Sequence, residues 1–214
     1  MGYFSAMMKL EERLCLVVGA GLVAERKISK LLQAGAKVLV VSPQVTETIR
    51  NWLAKEQVEW WERPFQSSDV KGATLVVAAT NDPKVNLHVY QSLESYQWIN
   101  IVDRPDLSSF IFPAILERGG LHVSISTTGG YPGLAKKLRQ KLEAEIGPEY
   151  EEYLSFLVDM RHRVLSMQLP KEEKSRLLQE FLHDRYLEGV RAGKLQEYKT
   201  NAIQLLEAAQ NKSN

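Results

Sequence analysis

The chain has 214 residues, 44% apolar and 25% charged, with a formal net charge of +1. That is enough for one large or two modest globular domains, and neither charge is in excess to draw the chain to nucleic acid or an anionic membrane. A single cysteine, Cys15, excludes an intrachain disulfide, and with dispersed histidines a structural zinc site lacks its usual ligands, so no metal is expected.

The longest apolar stretch, Leu14 to Ala24, is too short to span a bilayer and contains two glycines. Residues Met1 to Ala6 lack the basic region and apolar run of a secretory signal, and Ala6 stands where a myristoylation site needs Ser or Thr. The expected location is therefore cytoplasmic.

Arg13 to Val18 is an apolar run rich in branched residues that ends abruptly at Gly19-Ala20-Gly21, as a strand buried on both faces would. Ala24 to Ala34 places Ala24, Ile28, Leu31 and Leu32 at helical spacing, and Gly35 stops that helix. Lys37 to Val41 predicts a second strand, Thr46 to Lys55 a helix, and Val58 to Trp61 a weaker strand. Thr74 to Ala79 predicts a fourth strand, followed by the turn and helix-start signal Asn81-Asp82-Pro83, a helix to about Tyr96, and a strand from Ile99 to Val102 closing at Asp103. Alternation of strands and helices predicts an α/β, Rossmann-like, doubly wound parallel sheet.

Beyond Asp103 the pattern changes. Phe110 to Phe112 and Leu121 to Ser126 are expected as two strands joined by a helical turn and Gly119-Gly120. A glycine-rich loop from Thr128 to Gly133 leads into a helix over Leu134 to about Ile146, and Gly147-Pro148 breaks the chain. The remainder reads as two or three helices, interrupted near Pro170 and Gly193, with an apolar row at Leu154, Leu157, Met160, Val164 and Met167. The expected organisation is a nucleotide-binding Rossmann domain over residues 1–113, a small α+β dimerisation segment over 114–148, and a helical C-terminal domain over 149–214.

Gly19-Ala20-Gly21-Leu22-Val23-Ala24 has the G-x-G-x-x-A form of a dinucleotide fingerprint. Gly19 permits the tight turn, Gly21 lets a pyrophosphate approach the backbone, and Ala24 lets the helix lie close to the strand. The anion then rests on free N–H groups at the helix start. The acidic residue that grips ribose hydroxyls at the end of the second strand is missing, and Ser42-Pro43-Gln44 stands there. Ser42 or Gln44 can make weaker hydrogen bonds, and no Arg follows at once to hold a 2′-phosphate.

Asp103 ends a strand at the sheet edge where such folds place their ligands, so it is either a proton acceptor or a strand-end residue capping a turn or pairing with Arg104. Lys136, Lys137, Arg139 and Lys141 precede Glu143 and Glu145 on their helix, the reverse of what the helix dipole prefers. That cluster is either a solvated face or a site for a polyanion. His122, Ser124 and Ser126 share one side of their strand. No Tyr is followed four residues later by Lys, and no G-x-x-x-x-G-K-[ST] occurs, so short-chain dehydrogenase chemistry and P-loop nucleotide hydrolysis are not expected.

Taken in order, four blocks resemble the precorrin-2 dehydrogenases, the NAD-dependent module of siroheme synthases. They are Val17 to Lys27, Ala78 to Asp82, Asn100 to Asp103 with Ser109 to Ile115, and Ser124 to Thr127 with the glycine-rich loop and basic helix, together covering about residues 10–146. The resemblance implies oxidation of precorrin-2 to sirohydrochlorin with NAD as hydride acceptor, and Asp103 as the catalytic residue. It implies cofactor contacts at Leu22, Val23, Pro43 and Gln44, beside Gly19, Gly21, Ser42, Thr80 and Asn81. Arg104, Arg118, Ser124, Ser126, Thr127, Lys137 and Lys141 are the expected contacts to the carboxylate-rich tetrapyrrole. Thr127 and Thr128 depart from residues found in some relatives. The resemblance also implies a homodimer. A bifunctional dehydrogenase and ferrochelatase, or a non-enzymatic NAD-sensing Rossmann protein, are the alternatives; the Ser109 to Pro113 block after Asp103 argues against a sensor, and no methyltransferase domain fits in this length.

Overall fold

The computed structural model describes residues 2–213; Met1 and Asn214, the outer ends of the first and last expected domains, lie outside them. The chain divides into two compact units, Met1–Phe112 and Pro113–Asn214.

The first unit is a five-stranded, all-parallel sheet in the order β3-β2-β1-β4-β5. The strands are β1 (Leu14–Val18), β2 (Lys37–Val41), β3 (Val58–Trp61), β4 (Leu75–Ala78) and β5 (Trp98–Ile101). Successive residues of a strand face opposite sides, and here both sides are covered. Cys15, Val17, Val38, Val40 and Val77 pack under α1 (Leu22–Gln33) and α2 (Glu47–Ala54), which contribute Ala24, Ile28, Leu31 and Ile49. Leu16, Val18, Leu39, Val41, Val76 and Ala78 pack under α3 (Pro83–Gln91) and the turn at Ser67–Val70, through Val89 and Val70. Double coverage explains why the strands read as unbroken apolar runs rather than alternating ones.

The expected strand at Phe110 to Phe112 is not one. Ser109 and Phe110 donate their N–H groups to the Ile99 carbonyl at 2.9 and 3.3 Å, and the Phe110 carbonyl accepts from Asn100 Nδ2 at 3.0 Å. Both phenylalanine rings pack on the first core face, so this run plugs the sheet instead of extending it.

In the second unit, the segment expected as a helical turn is strand β6 (Ala114–Arg118), paired antiparallel with β7 (Leu121–Ile125). Arg118 and Leu121 close the two-residue turn Gly119-Gly120, where Gly119 has φ +55°. That left-handed backbone, which glycine adopts without steric penalty, converts the dipeptide into a hairpin. Helix α4 (Pro132–Glu145) lies against β6.

The tail forms four helices, more than expected: α5 (Glu149–Ser166), α6 (Lys171–Glu180), α7 (Asp184–Arg191) and α8 (Leu195–Ser213). They enclose a core of their own. The buried row of α5 is Tyr153, Phe156, Met160 and Val164, with Leu154 and Leu157 displaced to its flank. Aromatic size is the reason: Phe156 stacks on Tyr186 at 5.2 Å, and the Tyr153 hydroxyl donates to the Phe181 carbonyl at 3.1 Å. Among the described residues no helix is long and apolar enough to cross a membrane.

Candidate functional site

A cavity of about 470 Å³ opens at the C-terminal edge of β1, β2 and β4, the edge where open parallel sheets bind their ligands. Gly19, Gly21, Ser42, Pro43, Gln44, Thr80 and Asn81 all line it. The fingerprint glycines divide their work physically. Gly19 has φ +97°, and a Cβ there would lie 2.5 Å from the Ala79 carbonyl oxygen, so the turn leaves no room for one. At Gly21 a Cβ would meet nothing within 4 Å, and its absence leaves the cavity open beside the start of α1. Gly21 is the N-cap of α1 without a side-chain cap, so the first-turn amides remain available to an anion. This combination fits a dinucleotide: an open glycine at a helix start, and polar groups at the end of β2. Leu22 and Val23 do not line the cavity; their side chains are exposed, and what they offer is backbone at the helix start.

The walls contain residues the sequence did not single out. Thr46 caps α2 by accepting from Ile49 N, and its hydroxyl donates to Glu25 Oε2 at 2.7 Å. Trp60 Nε1 donates to the Ser42 carbonyl at 2.8 Å, holding the end of β2. Phe65 lines the opposite side and meets His88 edge-on, with ring centres 5.3 Å apart. No lysine or arginine is among the lining residues.

Asp103 lies just past β5, exposed, and its Oδ1 accepts from Asn86 Nδ2 at 2.8 Å. Asn86, 1% exposed, also binds Thr80 of the cavity wall, accepting from its N–H at 3.1 Å and its hydroxyl at 2.8 Å. The candidate carboxylate and the nucleotide cavity are thus joined by one buried amide. Sequence patterning contained a faint signal for it: Asn86 takes the same inward phase of α3 as Val89.

The expected tetrapyrrole contacts are more scattered. Arg104 does not pair with Asp103; its guanidinium forks onto Asp106 at 2.9 and 2.6 Å, and that pairing raises its pKa. Arg118 is committed to backbone, donating to the carbonyls of Ile146 at 3.0 Å and Glu117 at 2.9 Å. Ser124 and His122 share the exposed side of β7, and Ser126 follows in the same phase. Ser126 Oγ accepts from Thr128 N at 3.0 Å, and Thr127 Oγ1 from Tyr131 N at 3.1 Å, so the loop is braced by its own hydroxyls. Lys137 and Lys141 are exposed on α4 and have no ion-pair partner among the described residues, whereas Arg139 pairs with Glu143.

Comparison with known proteins agrees with this geometry. Residues 6–114 match the family model described as "Putative NAD(P)-binding", and residues 150–190 match the SirC C-terminal domain. The siroheme synthase of Thioalkalivibrio sulfidiphilus is 38% identical over 190 residues, covering 88% of this chain and 38% of its own length. The siroheme synthase of Methylobacillus flagellatus is 40% identical over 158 residues, covering 73% of this chain and 34% of its own length. The chain thus spans well under half the length of these curated relatives. The precorrin-2 dehydrogenase of Priestia megaterium is 33% identical over 183 residues, covering 86% of this chain and 91% of its own length. The solved structure of SirC, a precorrin-2 dehydrogenase, superposes with a TM-score of 0.83 at 30% identity, covering 96% of this chain and all of that one. Matched along nearly its whole length in sequence and in fold, the chain belongs to the precorrin-2 dehydrogenase family.

Proposed function

We propose that this chain is an NAD-dependent oxidoreductase that converts precorrin-2 to sirohydrochlorin, with Asp103 as its base. The observation that carries the reading is the link from the cavity wall at Thr80, through Asn86, to the Asp103 carboxylate. The oxidation removes a hydride and a proton from the tetrapyrrole. NAD supplies the hydride acceptor when bound, and the Asp103 carboxylate accepts the proton and passes it to solvent. Gly19, Gly21, Ser42, Pro43, Gln44, Thr80 and Asn81 are the proposed cofactor residues, with the backbone of Leu22 and Val23 at the phosphate end. A 2′-phosphate would meet no cationic side chain in that lining, which favours NAD over NADP. Ser124, Ser126, Thr127, Lys137 and Lys141 are the proposed contacts to substrate carboxylates. Arg104 and Arg118 would first have to leave Asp106 and the Ile146 carbonyl.

The assembly proposed is a homodimer, and the working location the cytoplasm. Two features of the second unit support the dimer. The β6–β7 sheet has only two strands, a size that is marginal by itself. Tyr131, Leu134 and Leu138 are exposed by 69%, 44% and 40% at the start of α4, an apolar row that a second subunit would cover.

The test is anaerobic incubation with precorrin-2 and either NAD or NADP, following the absorption spectrum. Turnover with NAD and little with NADP is expected; equal rates would remove the cofactor preference, and no turnover would remove the activity. Asp103→Asn should fold normally and lose roughly 10²–10⁴-fold in rate. Near-normal turnover in that variant would make Asp103 a strand-end cap only.

A further inference from the structure

The side chain of Asn86 has every hydrogen-bonding position filled. Its Oδ1 accepts from Thr80 N and Thr80 Oγ1, and its Nδ2 donates to the Thr80 carbonyl at 3.2 Å and to Asp103 Oδ1 at 2.8 Å. An amide has two donors and two acceptor lone pairs, and here all of them go to the two chain ends leaving β4 and β5. We propose that Asn86 is a positioning residue for the oxidation. By occupying Oδ1 it turns the carboxylate so that Oδ2 is the oxygen left to take the proton, and it holds Thr80 in the shape that receives the cofactor. The proposal rests on the reading of Asp103 as base.

The choice of residue follows from the geometry. Aspartate would keep the acceptor for Thr80 but lose the N–H and set a second carboxylate beside Asp103. Glutamine carries the same amide one methylene too far into a site that is 1% exposed. Serine is too short to reach both partners, and leaves the half-buried Thr80 N–H without its acceptor.

A double-mutant cycle separates positioning from structural support. Asn86→Ser should lower kcat by about 10- to 100-fold while changing the KM for precorrin-2 by less than about 3-fold, the pattern of a lost transition-state interaction. Introduced into Asp103→Asn, the same change should cost less than about 3-fold more, because the group it positions is already disabled. NAD titrated against the intrinsic tryptophan fluorescence, with no substrate present, should bind several-fold more weakly to Asn86→Ser and normally to Asp103→Asn. If Asn86→Ser melts early, Asn86→Asp is the second variant: it keeps the size and the acceptor for the Thr80 N–H and hydroxyl but loses both N–H donations, to the Thr80 carbonyl and to Asp103, so its kcat should fall. Losses that multiply in the double variant of Asn86→Ser with Asp103→Asn, an unchanged NAD affinity in Asn86→Ser, or normal turnover by Asn86→Asp would overturn the proposal. Near-normal turnover by Asp103→Asn alone overturns the reading beneath it, and with it the role of Asn86.

Discussion

Lys27 sits in the middle of α1 with its ammonium 4.2 Å from the centre of the Phe112 ring. Burial, with a smaller contribution from Lys30, lowers its pKa from 10.5 to about 8. The folded state therefore disfavours the charged form. Below pH 8 both states hold the proton and the penalty is fully present. Between pH 8 and about 10.5 only the unfolded chain holds it, so this lysine makes stability rise with pH across that window. Lys27→Met should raise the melting temperature at pH 7, by about 2–4 °C per kcal/mol recovered, less whatever the ring contact contributed. The gain should shrink to nothing by pH 10.5, and a gain independent of pH would mean that packing rather than charge is responsible. At this scale the legible residues were those whose role is set by immediate neighbours. Gly19 and Gly21 announce themselves through a six-residue pattern flanked by a strand and a helix. Thr46 and Phe65 reach the cavity, and Asn86 its Thr80 wall, from separate crossovers, and no local spacing encodes that meeting. Arg104 and Arg118 show the converse: each has a partner that residue type alone does not reveal, a carboxylate two positions on and a distant backbone carbonyl.

Among the elements, β1, β2, β4 and β5 were readable nearly to the residue because each is buried on both faces and bounded by a turn, whereas the edge strand β3, largely exposed, gave a weaker pattern. The hairpin was not, since Ala114–Arg118 has an ordinary composition and becomes a strand only by pairing across Gly119-Gly120. The helical tail was legible as helix but not in its partnering. Its aromatic core depends on Phe156, Phe181 and Tyr186 meeting from α5, the α6 end and α7. Helix α4 keeps the unusual charge order seen in the sequence, with no acidic residue in its first turn. Replacing Lys137 and Lys141 together by Gln should raise the KM for the tetrapyrrole, by roughly 3- to 10-fold as befits two exposed charges. NAD affinity should not change, and the salt dependence of KM should flatten. An unaltered KM at low ionic strength would assign these lysines to solvent.

For the molecule as a whole, the drive to associate lies outside the helical tail. The tail buries a core of its own, with Leu177, Phe181 and Met160 each no more than 1% exposed, so that core creates no need for a partner, though Val158, Leu165 and Leu182 stay exposed. The need lies instead in the small sheet and the exposed start of α4. The proposed dimer predicts light scattering at micromolar concentration giving twice the chain mass of 24.3 kDa. An obligate interface should be large, on the order of 2,000 Å² or more, so dilution to nanomolar concentration should leave the dimer intact. A stable, active monomer would refute it.

The two glycines at the mouth of the cavity divide inherited lesions of this protein into two kinds. At position 19 any replacement meets both a left-handed backbone and a main-chain carbonyl, and no rearrangement of side chains relieves either. An allele altered there would lower the amount of protein in the cell and would be partly rescued by low growth temperature or added chaperone. At position 21 a new side chain points into empty space. That allele would leave normal amounts of a folded protein whose cavity is obstructed, and neither low growth temperature nor added chaperone would restore it.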